Sequence, residues 1–277
     1  MKPAGWDPER RFLNKWGMHL LLSEQRDAPC HLPETHLLDE TTLHRLLQRY
    51  ERVYIKPVAG FGGSRISLVE QQASQIHWTR QETGQQLMFP DWLRFWPVFS
   101  SSHPKSDNYI AQQAAPLHTY QNRPFDVRVH LQRDTDNHWV YAGDLVRVAG
   151  SGGIVSNVGI TGGEVIPTER VLQALGLAET THHSWRAIAD WVCRSLDTVH
   201  RFAEVGLDLG VDGNGQWWLL EVNTNDAWGG PSHELFAQLP DTKQYQEIRR
   251  RYARRVGVPQ WLQDIVFGQS DSDGGTD

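Results

Sequence analysis

Apolar positions set the first expectations for this chain. Residues 11–26 carry Phe12, Trp16 and Leu20 at helical spacing, with Met18, Leu21 and Leu22 beside them, so a helix is expected there. Ala28-Pro29 and Leu32-Pro33 break it. A second helix is expected over residues 41–52, with Leu43, Leu46, Leu47 and Tyr50 on one stripe and Asp39 or Thr41 as cap. The pattern then shortens to strands: 53–56, a glycine-rich turn, 65–70, and a hairpin of 77–79 with 85–88. Residues 91–99 read as helical or irregular, 100–106 as a polar loop, and 109–113 as a segment crossing between two halves. Two long strands follow, 126–132 and 139–148, joined by a polar turn. Residues 150–163 are a glycine-rich loop, 168–175 a helix, and 184–205 a longer amphipathic helix with Ile188, Val192, Leu196 and Val199 on one face. Arg249, Arg250, Arg251, Arg254 and Arg255 mark a basic helix near the end. It reads as a solvated face or as a docking surface for an acidic partner.

Chemistry concentrates in two of these segments. Gly210-Val211-Asp212-Gly213-Asn214-Gly215-Gln216-Trp217-Trp218-Leu219-Leu220-Glu221-Val222-Asn223 reads as strand, tight turn, strand, with Asp212 a turn residue. Strand side chains alternate, so Glu221 and Asn223 point the same way. A carboxylate beside an amide oxygen suits Mg²⁺. Asp208, one strand back, is a third oxygen for the same side. An ordinary hairpin with a polar end is the plainer alternative. The second segment is Val53-Tyr54-Ile55-Lys56-Pro57-Val58-Ala59-Gly60-Phe61-Gly62-Gly63-Ser64-Arg65-Ile66, a buried strand ending in a lysine and then glycines. Glycines let backbone N–H groups approach phosphate oxygens, and lysine supplies a compact charge. No Gly-Lys-Ser/Thr follows and the next element is a strand, which excludes a Walker A loop and a dinucleotide fingerprint.

Taken in order, these segments resemble an ATP-grasp enzyme, and the likeness runs along most of the chain. Asn14-Lys15-Trp16 resembles an early motif whose lysine reaches the nucleotide phosphates. Lys56 matches the second phosphate lysine, and Gly60, Gly62, Gly63 and Ser64 match the loop over the β and γ phosphates. Tyr109-Ile110-Ala111-Gln112-Gln113 resembles the interlobe linker that reads adenine, with Gln112 and Gln113 as its contacts. Phe125-Asp126-Val127-Arg128-Val129 resembles the "FDxRV" strand. Arg147, Ser156-Asn157 and Gly162-Gly163 match a block shared with glutathione-synthetase-like and ribosomal-S6-modification-like members. Asp208, Glu221 and Asn223 match the family's Mg²⁺ ligands. Leu32-Pro33-Glu34-Thr35 and the Asn-Lys-Trp start are similar to the YheC/YheD branch, named for endospore-coat-associated proteins.

The resemblance implies an α+β chain with the ATP-grasp fold: two α+β lobes clasping ATP between them. The expected division is a lead-in over 1–45, a reduced pre-ATP-grasp region, a first lobe over 46–113, a second over 114–262, and a disordered tail over 263–277. It implies ATP and two Mg²⁺ ions as cofactors, and carboxylate and amine substrates joined through an acylphosphate, with a peptide or protein among them. Arg128, Arg147 and Asn157 are expected at the transferred group. Asp126 is expected to be structural, with Arg128 as its nearest ion-pair partner. An acceptor phosphorylated without a later amide step and a nucleotide-binding assembly protein are the alternatives. The short lead-in implies either a homo-oligomer or partner subunit replacing the missing surface, or a macromolecular substrate. Residues 225–228 depart from relatives and leave the acceptor pocket open.

Composition narrows this little further. A 39% hydrophobic and 22% charged make-up is ordinary for a globular protein. A net charge of −6 gives no reason to expect nucleic acid or an acidic membrane as partner. No apolar run is long enough to span a bilayer and the start lacks a signal-peptide pattern, so a cytoplasmic protein is expected, spore-associated by resemblance only. Cys30 and Cys193 form no metal or disulfide pattern. The twelve tryptophans suit packing or ring stacking, Trp228 standing nearest the expected metal strand.

Overall fold

The computed structural model describes residues 4–60, 65–105, 108–177, 181–224 and 233–267. In chain order the elements are β1 (Trp6–Asp7), β2 (Phe12–Leu13), α1 (Lys15–Ser23), β3 (Thr35–Leu37), α2 (Glu40–Tyr50), β4 (Arg52–Pro57), β5 (Ser67–Gln72), β6 (Gln75–Arg80), β7 (Gln86–Phe89), α3 (Trp92–Ser101) and β8 (Tyr109–Gln113). Then come β9 (Thr119–Tyr120), β10 (Arg123–Arg133), β11 (Trp139–Val148), α4 (Val158–Thr161), β12 (Glu164–Ile166), α5 (Thr168–Ala174), α6 (Thr181–Asp197), β13 (Glu204–Val211) and β14 (Trp217–Asn223). A 3-10 helix (His233–Gln238), α7 (Lys243–Arg255) and α8 (Gln260–Phe267) close the described chain. No helix among the described residues is long and apolar enough to cross a membrane.

Two antiparallel sheets organise these elements, in keeping with the expected α+β class. The first runs β3-β8-β4-β5-β6-β7; the second runs β12-β11-β10-β13-β14, with β9 beside β10. Each sheet has its own core. In the first lobe Leu43, Leu46 and Leu47 of α2 and Phe95 and Phe99 of α3 cover Val53, Ile55, Val69 and Trp78. Full burial of each such side chain stabilises the lobe by about 1.5–3 kcal/mol. Asp39 and Asp91 cap these two helices, accepting from the backbone N–H of Thr42 and Arg94. In the second lobe Ile188, Val192 and Leu196 of α6 pack on alternate residues of β10 and β13, Val127, Val129, Leu207 and Leu209.

Four boundaries differ from the sequence reading. Helix α6 ends at Asp197 rather than continuing to 205, and Val205 already belongs to β13. The turn at Thr198 and Val199 closes on Ser195 and Leu196, and fully buried Phe202 prolongs the apolar rhythm without being helical. The segment expected to cross between lobes is a strand inside the first sheet, β8 between β3 and β4; the crossing follows it, where Ala114 N donates to Arg52 O. Residues 263–267 continue helix α8, while 268–277 lie outside the described residues. The lead-in is divided between the lobes: Leu13, Met18 and Leu22 join the second core, whereas α2 joins the first.

The basic helix is not simply a solvated face. Arg249 pairs with Glu234 at 3.2 Å and Arg250 with Glu247 at 2.9 Å. Arg251 and Arg255 reach inward, to Gln132 Oε1 at 3.2 Å and Glu204 Oε1 at 2.9 Å.

Candidate functional site

Most of the expected site residues among those described meet in a cleft of about 310 Å³ between the sheets, lined from both lobes, with Lys15 in a recess beside it. Lys15 is placed by a cap. Asn14 Oδ1 accepts from Gly17 N at 2.8 Å, which starts α1 and sets Lys15 in its first turn. Lys15 Nζ donates to Gly60 O at 2.7 Å and pairs with Glu221 Oε1 at 2.9 Å. Lys56, near the end of β4, donates to Gln112 Oε1 at 2.6 Å, across the β4–β8 ladder. Burial of its ammonium pushes the Lys56 pKa down, and Glu221 acts against that. Gln112 in turn donates to Thr35 Oγ1 at 2.9 Å, and Gln113 Oε1 accepts from Glu34 N at 3.1 Å. Gly62, Gly63 and Ser64, and the loop at 225–228, lie outside the described residues.

The opposite wall is a network of charges on β10, β11 and β13. Arg128 Nε and Nη2 donate to the two carboxylate oxygens of Asp208 at 2.5 and 3.2 Å. Arg147 Nε and Nη2 donate to Asp126 at 2.8 and 2.5 Å, and Arg147 Nη2 also lies 2.9 Å from Asp208 Oδ2. Ser156 Oγ donates to Asp126 as well. The sequence-nearest pairing of Arg128 with Asp126 is therefore not made. Residues two apart on a strand lie about 6.5–7 Å apart, whereas partners on neighbouring strands stand about 5 Å apart. The register sets Arg128 opposite Asp208 and Asp126 opposite Arg147. Burial alone raises the pKa of Asp208, but Arg128 and Arg147 outweigh it and hold the carboxyl at about 2. The same two carboxylates push Arg147 upward against the effect of its own burial.

The oxygen donors expected for a metal sit on the β13–β14 hairpin. Asp208 pairs with Glu221, and Leu209 with Leu219, so Leu220 bulges out of the ladder. The bulge turns both Leu220 and Glu221 to the cleft while Leu219 and Val222 stay in the core. Asn223 Nδ2 donates to Asp208 Oδ2 at 3.2 Å and Gly206 O at 3.4 Å, so its carbonyl oxygen is the atom left for a cation. Two carboxylates and an amide oxygen are the hard donors Mg²⁺ prefers, and the residues fit that ion. Asn157 also lines the cleft, but its Oδ1 accepts from Ile160 N at 3.2 Å as the cap of α4.

Other residues bind the lobes together around this site. The backbone of Ile154, in the second lobe's glycine-rich loop, is held on both sides by the first lobe. Its carbonyl accepts from Tyr54 Oη at 2.8 Å and its N–H donates to Gln81 Oε1 at 2.9 Å. That loop is closely packed: a Cβ on Gly163 would lie 2.1 Å from Val148 O. Beside the cleft, Met18, Leu22, Leu32, Ile110 and Leu219 line an apolar recess that also includes Lys15, Lys56 and Glu221. Asp212 is confirmed as a turn residue, accepting from the N–H groups of Asn214 and Gln216 and from Trp218 Nε1. Cys193 is buried in the core, and burial raises both thiols to about 12, far from a reactive thiolate.

Known proteins are similar to this chain along most of its length. The endospore coat-associated protein YheD of Bacillus subtilis (strain 168) is 27% identical over 254 residues, covering 87% of this chain and 53% of that protein. The chain thus spans about half the length of that relative. Among solved structures, the ATP-grasp ligase PsnB, complexed with minimal precursor, Mg and ADP, aligns with 87% of this chain and 58% of its own. It does so at 13% identity with a TM-score of 0.47. The L-amino acid ligase from Bacillus licheniformis aligns with 78% of this chain and 40% of its own at 12% identity, with a TM-score of 0.45. The YheC/D-like ATP-grasp family model matches residues 8–255, which takes in both lobes and the cleft between them, and the chain belongs to that family.

Proposed function

We propose that this chain is an ATP- and Mg²⁺-dependent ligase that joins a carboxylate to an amine and releases ADP and phosphate, with a peptide or protein among its substrates. The observation that carries this reading is the meeting of four cations and three carboxylates across the interlobe cleft and the recess beside it. Lys15, Lys56, Arg128 and Arg147 face Asp126, Asp208 and Glu221 there.

Those groups balance to a single positive charge, which draws a polyphosphate without repelling a cation that travels with it. Lys15 and Lys56 hold phosphate oxygens from opposite lobes. Asp208, Glu221 and Asn223 are the residues that would hold Mg²⁺, which when bound neutralises charge at the transferred phosphoryl group. Arg128 and Arg147 are charged throughout and buried, so they stabilise the trigonal phosphoryl group and then the acylphosphate with little reorganisation. Ser156 and Asp126 orient Arg147 for this. The loop held at Ile154 covers the reacting groups and keeps water from the acylphosphate before the amine arrives. Membership of the YheC/D-like ATP-grasp family supports an ATP-dependent reaction in this cleft.

The test is ADP and phosphate release by the purified chain with Mg·ATP and pooled amino acids and peptides, with products read by mass spectrometry. Glu221→Ala is the control. A product lighter by one water than the summed reactants, and absent with Glu221→Ala, is expected. A product carrying an added phosphate makes the chain a kinase instead. Nucleotide binding without turnover, for any acceptor including candidate proteins, overturns the ligase reading.

A further inference from the structure

Strand β13 is buried at every residue, yet it opens with a glutamate that is 0% exposed. Oε1 of Glu204 accepts from Gln132 Nε2 at 3.2 Å and from Arg255 Nη2 at 2.9 Å. Oε2 is bonded to His233 Nε2 and stands 3.5 Å from His130 Nε2. His130 is 1% exposed; its Nε2 has only that long contact to Glu204, and its Nδ1 has no hydrogen-bond partner among the described residues. A buried imidazole so poorly satisfied is held at a loss that a ligand on Nε2 would relieve.

We propose that His130, Glu204 and His233 form a second, divalent transition-metal site, with Zn²⁺ the ion its donors favour. Two imidazoles and one carboxylate are a borderline donor set, unlike the all-oxygen set of Asp208, Glu221 and Asn223. The three ligand atoms lie within 4.8 Å of one another. Tetrahedral zinc bonds of about 2.1 Å place neighbouring ligand atoms about 3.4 Å apart. The 3.5 Å between His130 Nε2 and Glu204 Oε2 matches that spacing, while the shorter contact of His233 with Glu204 must open to admit the ion. Binding replaces the hydrogen bond between His233 and Glu204 with two metal–ligand bonds, and the His233 proton moves from Nε2 to Nδ1, so the ring binds as a neutral imidazole. Gln132 and Arg255 fasten Oε1, which fixes Oε2 toward the histidines. The Arg255 side chain is 27% exposed, so solvent screens part of its charge from the ion. Burial lowers the pKa of His130, which keeps it in the neutral form a metal takes.

The site ties elements distant in sequence. His130 lies on β10 two residues beyond Arg128 and on the same face, and His233 opens the 3-10 helix. An ion there fastens that helix to the sheet directly behind the arginine that faces the cleft.

The test strips the full chain with chelator, dialyses it against Zn²⁺ and then metal-free buffer, and reads bound metal by mass spectrometry. About one Zn²⁺ per chain is expected in the parent and in Glu221→Ala, and less than about a tenth of that in His130→Asn and His233→Ala. Circular dichroism shows which variants fold. Co²⁺ is loaded into the parent alone, so one readout is independent of the variants. The strong visible absorption of a four-coordinate ion supports the site, and the weak absorption of an octahedral one overturns it. No retained zinc in the parent also overturns it. So does zinc retained undiminished in both variants, which places the ion elsewhere, the exposed Asp134, Asp136 and His138 turn included.

Discussion

Lys56 shows the conflict between holding a chain together and equipping it to bind. Burial disfavours its charged form, and the neutral amide of Gln112 is the partner it touches. Replacing it with an apolar side chain of like length removes that cost. Lys56→Met is expected to raise the melting temperature of the ligand-free chain while weakening ATP binding by about ten-fold or more, read by calorimetry. Asp208 behaves oppositely, because its arginines overcompensate for burial. Its carboxyl falls from 3.8 to about 2, so its contribution to stability is fully present above about pH 4 and is lost as pH drops through 2. Asp208→Asn is expected to cost about 3–5 kcal/mol at pH 7 by urea unfolding, since it strands the buried Arg128 guanidinium and takes one of two carboxylates from Arg147, and the gap narrows toward pH 2. Residue types at these positions were legible from the sequence, but their partners were not. Arg128 has an aspartate two positions away, and only strand register reveals that the aspartate eighty positions away is the one it meets. Glu204 was missed altogether, although a carboxylate at the head of the stretch Glu204–Val211, whose other residues save Asp208 carry no charge, was a readable signal of a buried polar cluster.

At the scale of elements, the apolar stripe of α6 is the best-read feature and the one with the plainest consequence. Leu196 is 0% exposed in the second core, whereas Arg194 on the same helix faces solvent. Leu196→Ala is expected to destabilise the chain by about 2–5 kcal/mol, and Arg194→Ala to stay within about 0.5 kcal/mol, both by urea unfolding. The overrun of this helix past Asp197 has a physical origin. No glycine or proline interrupts residues 198–203, and Val199 and Phe202 keep a helical interval while the backbone turns toward β13. The β14 bulge was equally invisible, since simple alternation already put Glu221 and Asn223 on one face. What alternation missed is Leu220, which joins Glu221 at the cleft because the ladder skips a residue there.

For the whole molecule, the apolar clusters of one sheet are separate from those of the other, so the cleft is the seam, and a ligand that touches both sides stabilises both. Mg·ATP at about a hundred times its dissociation constant is expected to add about 2.7 kcal/mol, seen as a raised melting temperature, and at the same concentration about half that or less in Lys56→Met. The α+β class and the presence of two lobes were readable from segment order and motifs; the split of the lead-in between the lobes was not, because an amphipathic helix does not declare which core it will join. That split gives the Lys15–Glu221 ion pair a further meaning. Lys15 travels with the second lobe and Lys56 with the first, and these like charges disfavour each other across the seam. Glu221 attracts both and outweighs that repulsion. It is a placeholder for the anion: until phosphate arrives, one carboxylate keeps two cations at their posts, and once a cation claims that carboxylate the lysines are released together to whatever negative charge stands between them.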